Sequence, residues 1–168
     1  LQHPQEVGHA LNTARLAALG LLNCELRCAE YVEELPQLLS DSRWHSCLLF
    51  PGEQSVAVGR FATESAAKPL QLVVPDGTWR KVRKLLHLNP ELAALPRVTL
   101  ASVSASRYRV RKAAMPGALS TIEAIVQALE EVEGHGLFQP LLRPFEALIE
   151  GQIAAMGEAT YQRNHPLD

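Results

Sequence analysis

Apolar residues in this chain follow two rhythms. Cys47-Leu48-Leu49-Phe50 and Leu70 to Val74 are short unbroken runs, the first halted by Pro51-Gly52 and the second by Pro75-Asp76-Gly77. Such runs bounded by turn signals read as buried strands. Arg97 to Val103 reads as a third. Elsewhere the spacing is helical. Trp79, Val82 and Leu86 share one face of a helix that opens after the Asp76 turn and breaks at Asn89-Pro90, with Arg80, Lys81 and Lys84 opposite. Ile122, Ile125, Val126, Leu129 and Val132 line a long helix that ends at Gly134-His135-Gly136, and Phe138 to Met156 predicts a last one. Gln5 to Leu22 predicts a helix with a break near Asn12-Thr13, Tyr31 to Leu39 a short helix, and Cys24 to Arg27 a short strand, while Ser55 to Val58 is too short to assign. Arg107 to Lys112 alternates with period two, which in an extended chain puts Arg107, Arg109 and Arg111 on one face.

Strands alternating with helices predict an α/β fold with a largely parallel sheet. In open sheets of this kind ligands gather outside the carboxyl ends of the strands. Three segments could converge there: Phe50-Pro51, Val74 to Asp76, and the loop before Ser120.

Composition narrows the class. With 168 residues, 47% hydrophobic and 20% charged, the chain has material for one domain, residues 1–168, and its own core. Three cysteines without a C-x-x-C pair argue against a disulfide framework and for a reducing, cytoplasmic setting, with Cys24, Cys28 and Cys47 expected as small buried hydrophobes. No run approaches the roughly twenty apolar residues of a membrane span. The six histidines are scattered without metal-ligand spacing, and G-x-G-x-x-G, Walker and G-x-S-x-G signatures are absent, so no metal site is predicted.

Net charge is −2 and the sequence pI near 6.3, yet eight of the sixteen basic residues fall in two short segments, Arg80 to Lys84 and Arg107 to Lys112. A solvated helix face beside a charged edge strand accounts for this, and so does contact with a phosphate backbone. Asp76 has two readings as well: a helix cap, or an acid at a strand end. Trp79, on an apolar helix face, is expected in the core. Ser120-x-x-Glu123 fits a capping box, and the same helix terminus offers N–H donors to a carboxylate or phosphate.

Read together and in order, His3-Pro4-x-Glu6, Asn12-Thr13-Ala14, Pro51-Gly52, Pro75-Asp76-Gly77-Thr78-Trp79, Arg107-Tyr108-x-x-Arg111-Lys112 and Leu119-Ser120-Thr121-x-Glu123-Ala124 resemble the DTW-domain family. The resemblance spans the chain from its first residues to about Gly134. It implies a tRNA-uridine aminocarboxypropyltransferase that moves the 3-amino-3-carboxypropyl group of S-adenosylmethionine to N3 of a tRNA uridine and releases methylthioadenosine. It also implies a SPOUT-like fold with a C-terminal trefoil knot, and a cysteine-containing extension ahead of His3. A SPOUT-like RNA methyltransferase and a non-catalytic RNA-binding module are the alternatives.

Carried onto this sequence, the resemblance implies Asp76, Thr78 and Trp79 as the catalytic set, with Asp76 the base for uridine N3. Thr13, Phe50, Pro51, Val74, Tyr108, Arg111, Leu119, Ser120 and Thr121 become candidates for the S-adenosylmethionine site, and Asn12 stands beside them. Arg80, Lys81, Lys84, Arg107, Arg109 and Lys112 are candidates for meeting tRNA. A monomer is the favoured state.

Overall fold

The computed structural model describes residues 1–64, 67–103, 106–109, 118–157, 160, 161 and 163. Four strands, β1 (His45–Leu49), β2 (Val56–Ala57), β3 (Leu70–Val73) and β4 (Arg97–Thr99), form one sheet in the order β2-β4-β1-β3. Every pairing is parallel, with His45 opposite Leu70, Leu48 opposite Val73 and Arg97, and Val56 opposite Val98. Parallel neighbours need crossover connections. Helices supply them: α3 (Val58–Glu64) follows β2, while α4 (Trp79–Leu88) and α5 (Pro90–Ala93) lead from β3 to β4. α1 (Thr13–Gly20) and α2 (Leu35–Leu39) precede the sheet, and α6 (Thr121–Glu133) and α7 (Arg143–Met156) follow it.

The centre of the sheet shows why the apolar runs are continuous. Cys47 and Leu48 are adjacent in β1, both 0% exposed, and point to opposite faces. Cys47 packs with Val58, Phe61, Val98 and Ala128, whereas Leu48 packs with Val32, Leu35, Val82, Leu86 and Leu92. A third cluster lies between helices and joins Leu11 and Ala17 to Ile122, Val126, Phe145 and Ile149. Burying each large side chain contributes about 1.5–3 kcal/mol. The centre of the sheet is therefore covered on both faces.

Several expectations are corrected. The Gln5–Leu22 helix is a 3₁₀ turn at Pro4–Glu6 and then α1, capped by the Asn12 side chain. Cys24 to Arg27 is no strand; Cys28 makes one isolated bridge with Gln2. β4 stops at Thr99, and the last helix begins with a 3₁₀ turn at Gln139–Leu142. Residues 106–109 are not extended strand, and the remainder of the alternating segment, with Arg111 and Lys112, lies outside the described residues. Of the cysteines only Cys47 is buried, and burial pushes its thiol up to about 12, whereas Cys24 and Cys28 are exposed. Among the described residues no helix is long and apolar enough to cross a membrane.

Candidate functional site

At the end of β3 the chain turns through Val74-Pro75-Asp76-Gly77 into α4. Gly77 has φ +153°, and a Cβ there would lie 3.1 Å from the Lys81 Cβ and 3.5 Å from the His3 Cβ, so the turn needs glycine. Thr78 then caps α4, its side-chain oxygen accepting the Lys81 N–H at 3.4 Å. The cap is thus Thr78, and the reading of Asp76 as the helix cap is overturned.

Asp76 instead joins the first residues of the chain. Its N–H donates to the Leu1 carbonyl at 2.8 Å, and its carbonyl accepts from His3 N–H at 3.0 Å. Gln2 lies between Asp76 and Cys28 in two parallel bridges and is 2% exposed. The Gln2 side-chain amide donates to Asp76 Oδ2 at 2.8 Å, and the Thr121 hydroxyl donates to Oδ1. A carboxylate offers about four acceptor positions. Among the described residues these two donors take one on each oxygen, leaving Asp76 with capacity to accept more.

The His3-Pro4-x-Glu6 segment is the clip that holds this arrangement. His3, 2% exposed, accepts the Gln5 N–H at Nδ1 and faces Glu30 with Nε2 at 3.0 Å, which places the imidazole proton on Nε2. Glu6 pairs with Lys81 at 2.8 Å, with both side chains less than one-fifth exposed. Glu30 also receives Lys84 at 2.6 Å, and that ammonium, ahead of His3, holds the Glu30 carboxyl below its ordinary value. Two of the three expected tRNA contacts on α4 are therefore already paired within the protein. Arg80 is exposed and has no partner among the described residues.

Trp79 is 43% exposed, which corrects its expected place in the core. Its indole leans on Phe50 at the end of β1, with ring centroids 5.3 Å apart and planes 53° apart. The Arg97 guanidinium sits 5.7 Å from the Phe50 ring centre and donates to the Pro51 carbonyl at 3.4 Å. The end of β1 and the start of α4, just after β3, thus meet in an aromatic step.

The third converging segment is the start of α6. Ser120 and Glu123 form the expected capping box; Ser120 is 3% exposed and its hydroxyl is spent on Glu123 at 2.6 Å. Thr121, one residue on, is the hydroxyl that reaches Asp76. Glu123 does more than cap: it accepts the Ser106 hydroxyl at 2.9 Å and the Arg107 N–H at 2.5 Å, docking that segment on the helix. Arg107 and Arg109 turn to Glu146 and Glu150 on α7, four residues apart and so on one helix face. Tyr108 packs edge-on against Phe145, with ring centres 5.3 Å apart.

Among the remaining candidates, Thr13 is 7% exposed at the first turn of α1. Val74 and Leu119 are half-buried, and Pro51 is exposed. Open cavities of about 540 and 400 Å³ are lined elsewhere, by residues such as Gly59 and His135 or Arg27 and Tyr31, not by Asp76. Neither of those cavities includes the site at the strand ends. Gln2 went unnoticed in the sequence because its partner is 74 positions away; the only local signal was its place before His3-Pro4.

The chain matches the family model described as DTW domain over residues 1–153. Three similar curated proteins carry the name tRNA-uridine aminocarboxypropyltransferase 2. The Drosophila melanogaster protein is 32% identical over 91% of this chain and 63% of its own length. The Macaca fascicularis protein is 28% identical over 99% and 58%, and the Mus musculus protein 29% over 91% and 53%. This chain thus spans between about half and two-thirds of each. No solved structure matches it.

Proposed function

We propose that this protein, which belongs to the DTW domain family, transfers a 3-amino-3-carboxypropyl group from S-adenosylmethionine to N3 of a tRNA uridine. The observation that carries the reading is the placement of Asp76. It does not cap α4, it stands at the carboxyl end of an all-parallel sheet, and its carboxylate is oriented by Gln2 and Thr121 with acceptor positions left over among the described residues. The parallel sheet also supports the finer reading of the fold as SPOUT-like with a C-terminal trefoil knot. A reducing cytoplasm is the proposed setting.

The residues present suit such a donor. The Phe50 and Trp79 rings offer a surface for adenine, with Pro51 and Val74 flanking it. The backbone N–H groups at the amino terminus of α6, where Thr121 is the first residue, suit its carboxylate. Thr13, Tyr108, Leu119 and Ser120 then serve as walls and supports, since Ser120 and Tyr108 already face inward. When bound, the donor supplies an electrophilic γ-carbon whose bond to sulfur breaks, the electron pair leaving with methylthioadenosine. Asp76 takes the N3 proton as the uridine nitrogen forms its bond to that carbon. Asp76 and Trp79 set the in-line approach of the base, so orientation decides between carboxypropyl and methyl transfer. Thr78 fixes the start of α4 and with it the indole. Arg80 meets tRNA phosphates, while Lys81, Lys84, Arg107 and Arg109 reach RNA by giving up Glu6, Glu30, Glu146 and Glu150.

The test is incubation of purified protein with unmodified tRNA and labelled S-adenosylmethionine, followed by nucleoside mass spectrometry. A 3-amino-3-carboxypropyl uridine is the expected product. A methylated nucleoside, or tRNA bound without modification, would replace this reading with a methyltransferase or a binding module.

A further inference from the structure

The most ordered polar feature beyond the proposed catalytic set is a chain of carboxamides that runs from the backbone of α1 to Asp76. It begins with a fixed donor. The Arg15 N–H, at the first turn of α1, donates to Asn12 Oδ1 at 3.0 Å. That contact decides which end of the Asn12 amide is oxygen. Asn12 Nδ2 must then donate, and it does, at 3.3 Å to the Val7 carbonyl and at 3.3 Å to Gln2 Oε1. With its oxygen so assigned, Gln2 can only present Nε2 to Asn12 Oδ1 and to Asp76 Oδ2, each at 2.8 Å. Two backbone groups, one donor and one acceptor, therefore dictate the direction of every hydrogen bond up to the carboxylate.

The carboxylate needs this. The terminal torsion of an aspartate is broad and nearly two-fold, so a single hydrogen bond leaves the plane free to turn. Thr121 alone would hold Oδ1 while Oδ2 swung about the Cβ–Cγ bond. Gln2 supplies the second point, and its 2% exposure keeps water from competing for the same lone pair. Resting on the reading of Asp76 as the proton acceptor, we propose that Gln2 is a positioning residue for the reaction, its amide set by Asn12 and in turn setting the plane of the Asp76 carboxylate. In this role both amides, Asn12 included, act through Asp76 and not on the substrates directly. Their effect falls on the rate of the chemical step, because the vacant lone pairs of Asp76 must lie in line with the N3–H bond when that bond breaks.

Gln2→Leu and Asn12→Asp test this, each assayed for kcat, for KM toward S-adenosylmethionine and tRNA, and for Tm. In Gln2→Leu, kcat should fall between about tenfold and a hundredfold, as expected of a small misalignment at a reacting group, with both KM values unchanged. Unchanged kcat, or kcat and both KM values moving together with Tm, would overturn the proposal. Should Gln2→Leu fail to fold, Asn12→Asp decides, since an aspartate keeps the acceptor for Arg15 N–H and removes the donor to Gln2 Oε1 along with the one to the Val7 carbonyl. A fall in kcat at constant KM supports the relay there, and wild-type kcat sinks it. NMR of the Gln2 side-chain amide needs no substrate. Slow hydrogen exchange in the wild type that becomes fast in Asn12→Asp supports the relay even if no aminocarboxypropyl product forms, whereas fast exchange in the wild type overturns it.

Discussion

Two carboxylates stand at the amino terminus of α6, and they are put to different use. Glu123 is 3% exposed and accepts from Ser120 N–H, the Ser120 hydroxyl, the Ser106 hydroxyl and Arg107 N–H. Its acceptor positions are filled. Asp76, half-buried, accepts from Gln2 and Thr121 and, among the described residues, has positions to spare. The same kind of group beside the same helix end is structural where it is saturated and available for chemistry where it is not. Residue type and proximity do not separate them; counting donors against lone pairs does.

The sharpest way to break the comparison is to exchange the roles. Asp76→Asn should cut product formation by about 10²- to 10⁴-fold, the usual contribution of a general base. Its Tm should barely move, because an asparagine can accept from Gln2 and donate to the Thr121 hydroxyl, which serves either way. Glu123→Ala should do the reverse. It strands the Ser106, Arg107 and Ser120 donors at a cost of about 3 kcal/mol, a fall in Tm of roughly 6–12 °C for a chain of this size. Turnover per folded molecule should stay within about threefold, since Glu123 orders the scaffold and not the reacting atoms. Thermal melts and single-turnover assays on the same preparations read both effects.

A smaller effect lies in the turn itself. Gly77→Ala forces a Cβ into a positive-φ position 3.1 Å from the Lys81 Cβ, and should cost about 1–2 kcal/mol. Denaturant midpoints check it, with a loss confined to the transition and no change in its slope.

The cations supply the smallest test. Arg80→Ala should reduce the slope of log K for tRNA against log salt by about 0.7–0.9, one phosphate contact. Lys81→Met should change the slope less and stability more, because the Lys81 ammonium is held by Glu6 and its loss leaves that carboxylate unpaired. Filter binding across salt concentrations distinguishes them. Equal slopes for both variants would mean that internal pairing does not mask a cation from RNA.

Much of the fold was legible because it is local. β1 and β3 could be read from apolar runs that stop at proline and glycine, and α6 from Ser120-x-x-Glu123 followed by apolar residues at helical spacing. α3 was missed, since a helix of seven residues that begins directly after a two-residue strand shows only Val58 and Phe61 as its buried face. Trp79 misled because periodicity assigns a face without saying where that face runs out; at the first position of α4 it already lies over the strand ends, against Phe50. Arg107 and Arg109 show the limit of a period-two pattern: they do share a direction, but it is set by Glu146 and Glu150 on α7 rather than by a strand. The candidate site was half legible. Asp76 and Thr121 stood in recognisable motifs 45 residues apart, but nothing local could show that they touch or that Gln2 completes them.

The measurement closest to the central claim pairs two variants in one reaction. Wild type, Asp76→Asn and Glu123→Gln are each incubated with unmodified tRNA and S-adenosylmethionine, and the nucleosides are quantified by mass spectrometry alongside tRNA binding. The account predicts aminocarboxypropyl uridine from wild type and from folded Glu123→Gln, and none above background from Asp76→Asn despite normal tRNA affinity. Product from Asp76→Asn at the wild-type rate would contradict it.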